Sequence, residues 1–384
     1  MREGYRSHGS DRACARVSDG QRFLGTMTRT AAPESDARRA LGHYASITCD
    51  GIARFGNGLI NDTFAVESTG ERHVLQRVHP VFAPEIHRNI VAVTEHLAAA
   101  GLVTPRLVLA DDGRPWVDLG EQGIWRLMTR VPGVSFDAAR SPAQIRAAAH
   151  LLARFHGALE DLEHDFVGLR VGVHDTPAHL RHLQAMIDRH ASDPLHAEVA
   201  SLGRELLEQA TRLPSLEGLP ARVVHGDPKL SNVLFVGEDG PDAERAVCWI
   251  DLDTVGPMPL ALELGDAWRS WCNQKGEDEA GAHFDLATFE ASLGGYAEGC
   301  TLRLCARERA ALVHGLEWIT LELSARFAAD ALARSYFGWN PARFESAGHH
   351  NLVRARGQWS LHQQVVALRH ERASLIEHLL PVVE

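Results

Sequence analysis

His225, Asp227, Lys229 and Asn232 recur at short fixed offsets inside Val223-Val224-His225-Gly226-Asp227-Pro228-Lys229-Leu230-Ser231-Asn232-Val233-Leu234-Phe235, with apolar residues on both sides. Apolar runs enclosing a polar centre predict two short strands joined by a functional loop. In such a loop the carboxylate of Asp227 can take the proton of an attacking hydroxyl, and the amide oxygen of Asn232 can face a metal that bridges phosphates. Lys229 lies where it can neutralise charge growing on a transferred phosphoryl group. Turn preference would account for Gly226, Asp227, Pro228, Ser231 and Asn232 as a hairpin corner, but it requires neither the lysine nor the asparagine at those offsets. The chemistry indicated is phosphoryl transfer, with Asp227 and Lys229 as candidate catalytic residues and Asn232 as a candidate metal ligand.

A second acidic site follows. Ala246-Val247-Cys248-Trp249-Ile250 reads as a buried strand, and it delivers Asp251-Leu252-Asp253-Thr254 at its end. Alternate residues of an extended strand face one side, so Asp251 and Asp253 are expected to share a metal with Asn232. By itself such a pair is most often a solvated strand end. Placed about twenty residues after the loop, it takes the position of the kinase aspartate that holds magnesium.

Together, His225-Gly226-Asp227 with Asn232, then Ile250-Asp251, resembles the aminoglycoside phosphotransferase and choline kinase family, small-molecule relatives of protein kinases. The resemblance implies an α+β, two-lobed protein-kinase-like fold, with a small antiparallel-sheet N-lobe and a larger, mainly helical C-lobe. It also implies ATP and Mg2+ as cofactors.

Patterning assigns the elements that must position this chemistry. Residues 1–40 carry Arg, Ser, Gly, Asp and Thr with little apolar periodicity and read as a disordered leader, Met27 being a candidate internal start. Their acids argue against a transit peptide or secretory signal. An N-lobe over 41–130 and a C-lobe over 131–384 are expected to follow. Phe55 to Val66 reads as strand, Gly-containing turn and strand, and His73 to Val78 as a third strand after a turn over Glu67 to Arg72. Gly56 and Gly58 would let the backbone approach phosphates. Arg77, with Gln76 beside it, stands where kinases carry a phosphate-pairing lysine and is the candidate for that charge. Ile86, Ile90, Val93 and Leu97 make one helical face, which turns Glu95 away, so the Lys–Glu pair of protein kinases should be absent or rebuilt. Strands at 106–110 and 124–128 run into Thr129-Arg130-Val131-Pro132-Gly133, the expected hinge, and backbone near Met128 to Arg130 is assigned to adenine. Further on, Ile145, Ala149, Leu152 and Phe155 keep a helix face apolar, and His156 reads as structural, beneath the catalytic loop. Residues 176–218 read as two polar-faced helices inserted before the loop.

Narrower strings point further. Gly58-Leu59-Ile60-Asn61-Asp62-Thr63, Val74-Leu75-Gln76-Arg77, Asp251-Leu252-Asp253-Thr254, Gly265-Asp266-Ala267-Trp268-Arg269-Ser270 and His350-Asn351-Leu352-Val353-Arg354-Ala355-Arg356 resemble N-acetylhexosamine 1-kinases. That resemblance, over residues 50–360, implies transfer of the ATP γ-phosphate to the anomeric hydroxyl of N-acetylglucosamine or N-acetylgalactosamine. It places Arg326 and Tyr336 with Asp227 at the sugar, at a spacing one residue shorter than the family's. Trp268, Trp271, Tyr336 and Phe337 read equally well as core, and Arg354 and Arg356 as helix salt-bridge partners.

Composition sets outer bounds. With 384 residues, 45% of them hydrophobic, the chain can furnish two lobes with real cores. A net charge of −11 would be repelled by nucleic acid and anionic lipid, so neither is an expected partner. No run approaches the length of a membrane span. The six cysteines show no C-x-x-C spacing and read as reduced thiols in cytoplasm, without a zinc site. The expected partner is a small-molecule sugar, and the expected state a monomer or weak dimer. Cationic acceptors such as an aminoglycoside or choline stay open because an acidic protein attracts them, whereas the mixture Glu263, Asp266, Arg269, Arg326 and Tyr336 favours a neutral polyol. A non-catalytic kinase-like binding module would be expected to lack Asp227, Asn232 or Asp251, and all three are present.

Overall fold

The structure is a computed structural model that describes residues 31–56 and 61–380. Its N-terminal part is one antiparallel sheet in the order β1 (Gly51–Arg54), β2 (Asp62–Ser68), β3 (Glu71–Arg77), β6 (Ile124–Thr129) and β4 (Leu107–Val108). A sixth strand, β5 (Val117–Asp118), also pairs with β6. β2 and β3 are longer than the sequence suggested: their ladder runs unbroken from Asp62 opposite Arg77 to Ser68 opposite Glu71. Thr69 and Gly70 suffice for the turn, so residues 67–72 are mostly strand, and the first strand ends before Phe55.

Side-chain parity divides this sheet. Phe64, Val66, Leu75, Trp125 and Leu127 point to one face and are buried under α1 (Glu34–Leu41), whose Ala37, Ala40 and Leu41 join them. Each large apolar residue so covered contributes about 1.5–3 kcal/mol. Part of the stretch read as a leader is therefore ordered N-lobe, because three small or apolar residues of one short helix are enough to cap the sheet. Thr63, Gln76 and Arg126, in register with one another, point to the opposite face, toward the C-terminal lobe. α2 (Ile86–Ala99) buries Ile86, Ile90, Val93 and Leu97 as their spacing requires, and leaves Glu95 exposed beside Arg106.

The C-terminal part is helical around two short ladders. α3 (Pro142–Ala158) starts at Ser141, whose hydroxyl accepts from the Gln144 N–H. α4 (Thr176–Arg189) and α5 (His196–Ala210) are the two inserted helices, and they bury Leu180, Leu183, Met186, Val199, Leu202 and Leu206 against the long α8 (Ala306–Ala333). α6 (Leu260–Trp271) lies on α8 at such close range that a Cβ on Gly315 would sit 1.8 Å from the Ala261 carbonyl oxygen, so only glycine fits there. α7 (Leu286–Gly299) packs on α3, and α9 (Ala347–Ala367) and α10 (Arg369–Leu379) close the lobe. The α+β, two-part architecture agrees with the sequence expectation. No helix among the described residues is long and apolar enough to cross a membrane.

Candidate active site

Two nested ladders build the site. β7 (Ala221–Val224) pairs with β10 (Gly256–Pro259), and inside it β8 (Val233–Phe235) pairs with β9 (Ala246–Trp249). The loop 225–232 and the turn 250–255 are therefore brought to the same end. The Ile250 N–H donates to the Asn232 carbonyl at 2.9 Å and extends the inner ladder between them.

The loop is held from beneath. Glu263, on α6 and fully buried, accepts from the His225 N–H at 3.1 Å and the Gly226 N–H at 3.0 Å. These are charge-assisted bonds to backbone donors. His156 lies 3.4 Å from the same carboxylate and meets the Tyr296 hydroxyl at 2.8 Å, which makes it structural as its sequence context suggested. The buried His225 ring meets the Ile250 carbonyl through Nε2 at 2.9 Å and accepts the Asp227 N–H at Nδ1, an arrangement that assigns its proton to Nε2. Gly226 is in a left-handed conformation, φ 83°, and an added Cβ would lie 2.4 Å from the Thr254 carbonyl oxygen. Only glycine lets the loop and the turn touch there.

At the mouth, Lys229 Nζ donates to Asp227 Oδ2 at 2.6 Å, and Asn232 Nδ2 donates to the same oxygen at 3.1 Å and to the Asp227 carbonyl at 2.9 Å. Burial works against the Lys229 charge, but Asp227 outweighs it and raises the ammonium pKa. With its Nδ2 engaged, Asn232 keeps its amide oxygen for another partner. Asp251 makes no hydrogen bond or ion pair among the described residues, and burial, reinforced by the neighbouring Asp253 charge, pushes its pKa up. A hard-oxygen pair made of an amide and a carboxylate with uncompensated charge suits a magnesium ion that keeps several waters and takes its other ligands from phosphates.

Asp253 is engaged by other partners. Asp251 has a left-handed backbone, φ 65° and ψ 60°, and Leu252–Thr254 is a 3-10 turn, so the alternation assumed for an extended strand fails. The Asp253 carboxylate instead forms a buried ion pair with Arg126 and accepts Asn61 Nδ2 at 2.9 Å. Burial would raise its pKa, but Arg126 and Asn61 outweigh that and hold it low.

The nucleotide-side residues also rearrange. Arg77 shares the face of Leu75, away from the cleft, and both its Nε and Nη2 donate to Asp62 Oδ2, at 2.8 and 2.6 Å. The cleft-facing position on β3 belongs to Gln76, and the cation there is Arg126, whose Nε and Nη2 meet Gln76 Oε1 at 2.9 and 2.7 Å. Backbone at Met128 to Arg130 is largely committed: Met128 lies within the sheet ladders, Thr129 N–H donates to Arg106, and Arg130 N–H donates to Arg72. Val131 has the first N–H beyond the ladder without a partner among the described residues. The Arg130 guanidinium lies 4.3 Å from the Phe55 ring centre. Gly56 takes φ 74° with open space around it, and Gly58 lies outside the described residues.

On the helical lobe, α8 presents Glu322, which accepts Thr176 Oγ1 at 2.7 Å and meets His174 Nδ1 at 3.1 Å and Arg326 at 3.7 Å. Arg326 also lies 5.8 Å from the Tyr336 ring centre, and the Tyr336 hydroxyl accepts Arg170 Nη2 at 3.0 Å. Asp330 fixes the segment carrying Tyr336 by accepting the N–H groups of Ser335, Tyr336 and Phe337. Asp266 pairs with Arg269 at 2.7 Å, and Arg269 reaches Glu277 at 3.3 Å. Arg354 pairs with Asp278 and Arg356 with Glu198, the salt-bridge roles expected of them. A cavity of about 740 Å³ adjoins this cluster, with His174, Thr176, Trp318, Met258, Gly226 and Thr254 among its walls.

Sequence reasoning passed over Arg126, Asn61 and the supporting role of Glu263. The available signal was a charge within an otherwise apolar run: Arg126 in Ile124-Trp125-Arg126-Leu127-Met128 and Glu263 in Leu260-Ala261-Leu262-Glu263-Leu264.

Residues 51–299 match the model of the phosphotransferase enzyme family, and the chain belongs to that family. It is a phosphotransferase. Among solved structures it is similar to an amicoumacin kinase in complex with AMP-PNP, Ca2+ and Ami, at 12% identity and a TM-score of 0.59 over 86% of this chain and 93% of that one. A microcompartment-associated aminopropanol kinase gives 17% identity and a TM-score of 0.58, over 89% of this chain and 100% of that one. An aminoglycoside phosphotransferase from Alicyclobacillus acidocaldarius gives 18% identity and 0.53, over 91% and 98%. At such identities the likeness is one of fold.

Proposed function

We propose that this chain transfers the γ-phosphate of ATP, with magnesium, to a hydroxyl of a small neutral polyol, and that the acceptor is the anomeric hydroxyl of an N-acetylhexosamine. The observation that carries the transfer is the convergence of Asp227, Lys229, Asn232 and Asp251 at one end of the nested ladders. In this reading Asp227 takes the acceptor proton, Lys229 faces the transferred phosphoryl group, and Asn232 and Asp251 hold the metal. Magnesium, when bound, supplies the positive charge that the phosphates and Asp251 both lack. The N–H of Val131 and the Gly56 turn serve the nucleotide.

The neutral-polyol reading rests on the acceptor side. A polyamine is bound by carboxylates free to meet ammonium groups, yet Asp266, Glu322 and Asp278 are each engaged by an arginine, a histidine or both. Such pairs present both signs at once, which suits hydroxyl and amide groups. Arg326 and Tyr336 would flank the sugar. An ATP-using enzyme whose described cysteines are all free thiols accords with a cytoplasmic site of action.

Phosphorus NMR of products formed with magnesium, ATP and a panel of N-acetylglucosamine, N-acetylgalactosamine, other hexoses, an aminoglycoside and choline tests this. The expected product is an acid-labile sugar 1-phosphate, and Arg326→Ala should raise KM for the sugar far more than for ATP. Transfer to the aminoglycoside or choline alone would reject the sugar and keep the kinase.

A further inference from the structure

Five polar side chains on the cleft face form a closed circuit, with the His79 N–H as a branch. Gln76 Nε2 donates to Thr63 Oγ1 at 3.1 Å, and Gln76 Oε1 takes two N–H bonds from Arg126. Arg126 Nη1 then donates to Asp253 Oδ1, Asn61 Nδ2 donates to Asp253 Oδ2 at 2.9 Å, and Asn61 Oδ1 accepts the His79 N–H at 2.9 Å. Asn61 stands two residues before Thr63, so the chain itself closes the ring. Arg126 is 1% exposed and Asp253 6%.

We propose that Arg126 and Asp253 are positioning residues, an interlobe clamp that sets where the neighbouring Asp251 points and ties that setting to Asn61, next to the start of β2. This rests on the kinase reading above. Removing a guanidinium and a carboxylate from water is costly, and a well-packed apolar pair would fill the same space at equal or better stability. What an apolar pair lacks is direction. The Arg126 fork admits one orientation toward Gln76 and one toward Asp253, and the left-handed backbone at Asp251, unusual for a residue with a side chain, needs surroundings that over-determine it. Both oxygens of Asp253 are engaged by side chains of the sheet-bearing lobe, so the metal-side turn is referenced to that lobe through this one carboxylate. Supporting bonds of this kind govern metal affinity by about 10- to 100-fold.

The experiment compares the full-length protein with Arg126→Met, with Asp253→Leu and with the double variant, by thermal melting and by calorimetry of MgADP binding. Each single variant strands a charge and should melt well below wild type. The double variant should recover the melting temperature yet bind MgADP at least about tenfold more weakly, with KM for the acceptor unchanged. A double variant that recovers melting and binds MgADP as wild type does would overturn the clamp and leave a packing role. If Asp253→Asn were rescued by excess Mn2+, Asp253 would be a ligand and the proposal would also fail. A wild-type protein that binds no MgADP would remove the kinase reading itself, which separates the two failures.

Discussion

Glu317 and Asp251 are both carboxylates withdrawn from water, in surroundings of opposite kind. Glu317, fully buried on α8, is met by Arg372 at 2.6 Å, by Arg369 at 2.9 Å and by His314 at 3.2 Å. Burial alone would raise its pKa, but these partners outweigh it and bring the value down to about 2. Asp251 has no such partner among the described residues, and its pKa moves up. A protein that can satisfy one buried acid with two arginines and a histidine and leaves another bare at the mouth of a cleft marks the second as a place where a ligand brings the missing charge. One acid is held for the fold, and the other is the one we propose for the reaction.

The largest effect that sharpens this contrast is expected at Asp227, the proposed base. Asp227→Asn should lower kcat by roughly two to four orders of magnitude while MgADP binding survives, measured by steady-state kinetics and calorimetry. Near-normal turnover would break the assignment of the whole loop. Next, Asp251→Asn should abolish most magnesium-dependent activity without loss of thermal stability, because it removes an uncompensated charge. Asn232→Ala should do the same more mildly, since an amide brings no net charge. A melting temperature that falls sharply in the Asp251 variant would place that acid with Glu317.

The opposite outcome is expected on the structural side. Glu317→Gln leaves Arg372 buried and unpaired and should cost about 3–5 kcal/mol in denaturant unfolding, with kcat of the folded fraction little changed. The smallest and most gradual effect comes from acid. The Glu317 pKa is depressed from 4.5 to about 2 on folding, so its contribution, about 3 kcal/mol, is fully present above the unfolded value. It declines as pH falls from 4.5 toward 2, and the Gln variant should have a flatter stability profile over that window.

How legible each part was follows from how far apart in sequence its causes lie. The loop from His225 to Asn232 could be read because its acid, cation and amide are within eight consecutive residues, and the helix at 86–99 because its buried face repeats with the helical period. Arg77 could not be placed, since which of two adjacent residues faces the cleft depends on the register of β2 with β3 and on α1 covering one face. Asp253 was misread because a left-handed residue before it breaks strand alternation. Arg126 and Asn61 reach Asp253 across 127 and 192 residues of chain, a distance no local pattern reports. The acceptor cluster joins α4, α8 and the segment after it, and for the same reason its residue types were visible while their pairings were not.

The nesting of β7–β10 around β8–β9 gathers the residues proposed for transfer within 221–259, a tenth of the chain, with Glu263 and Arg126 as supports from outside it. Contacts of such low contact order close quickly. The proposed acceptor region, drawn from helices far apart along the chain, has no such unity. Substitutions can therefore accumulate in α4, α5 and the 335–346 segment without disturbing the transfer cassette, so the choice of acceptor can drift while the reaction stays the same.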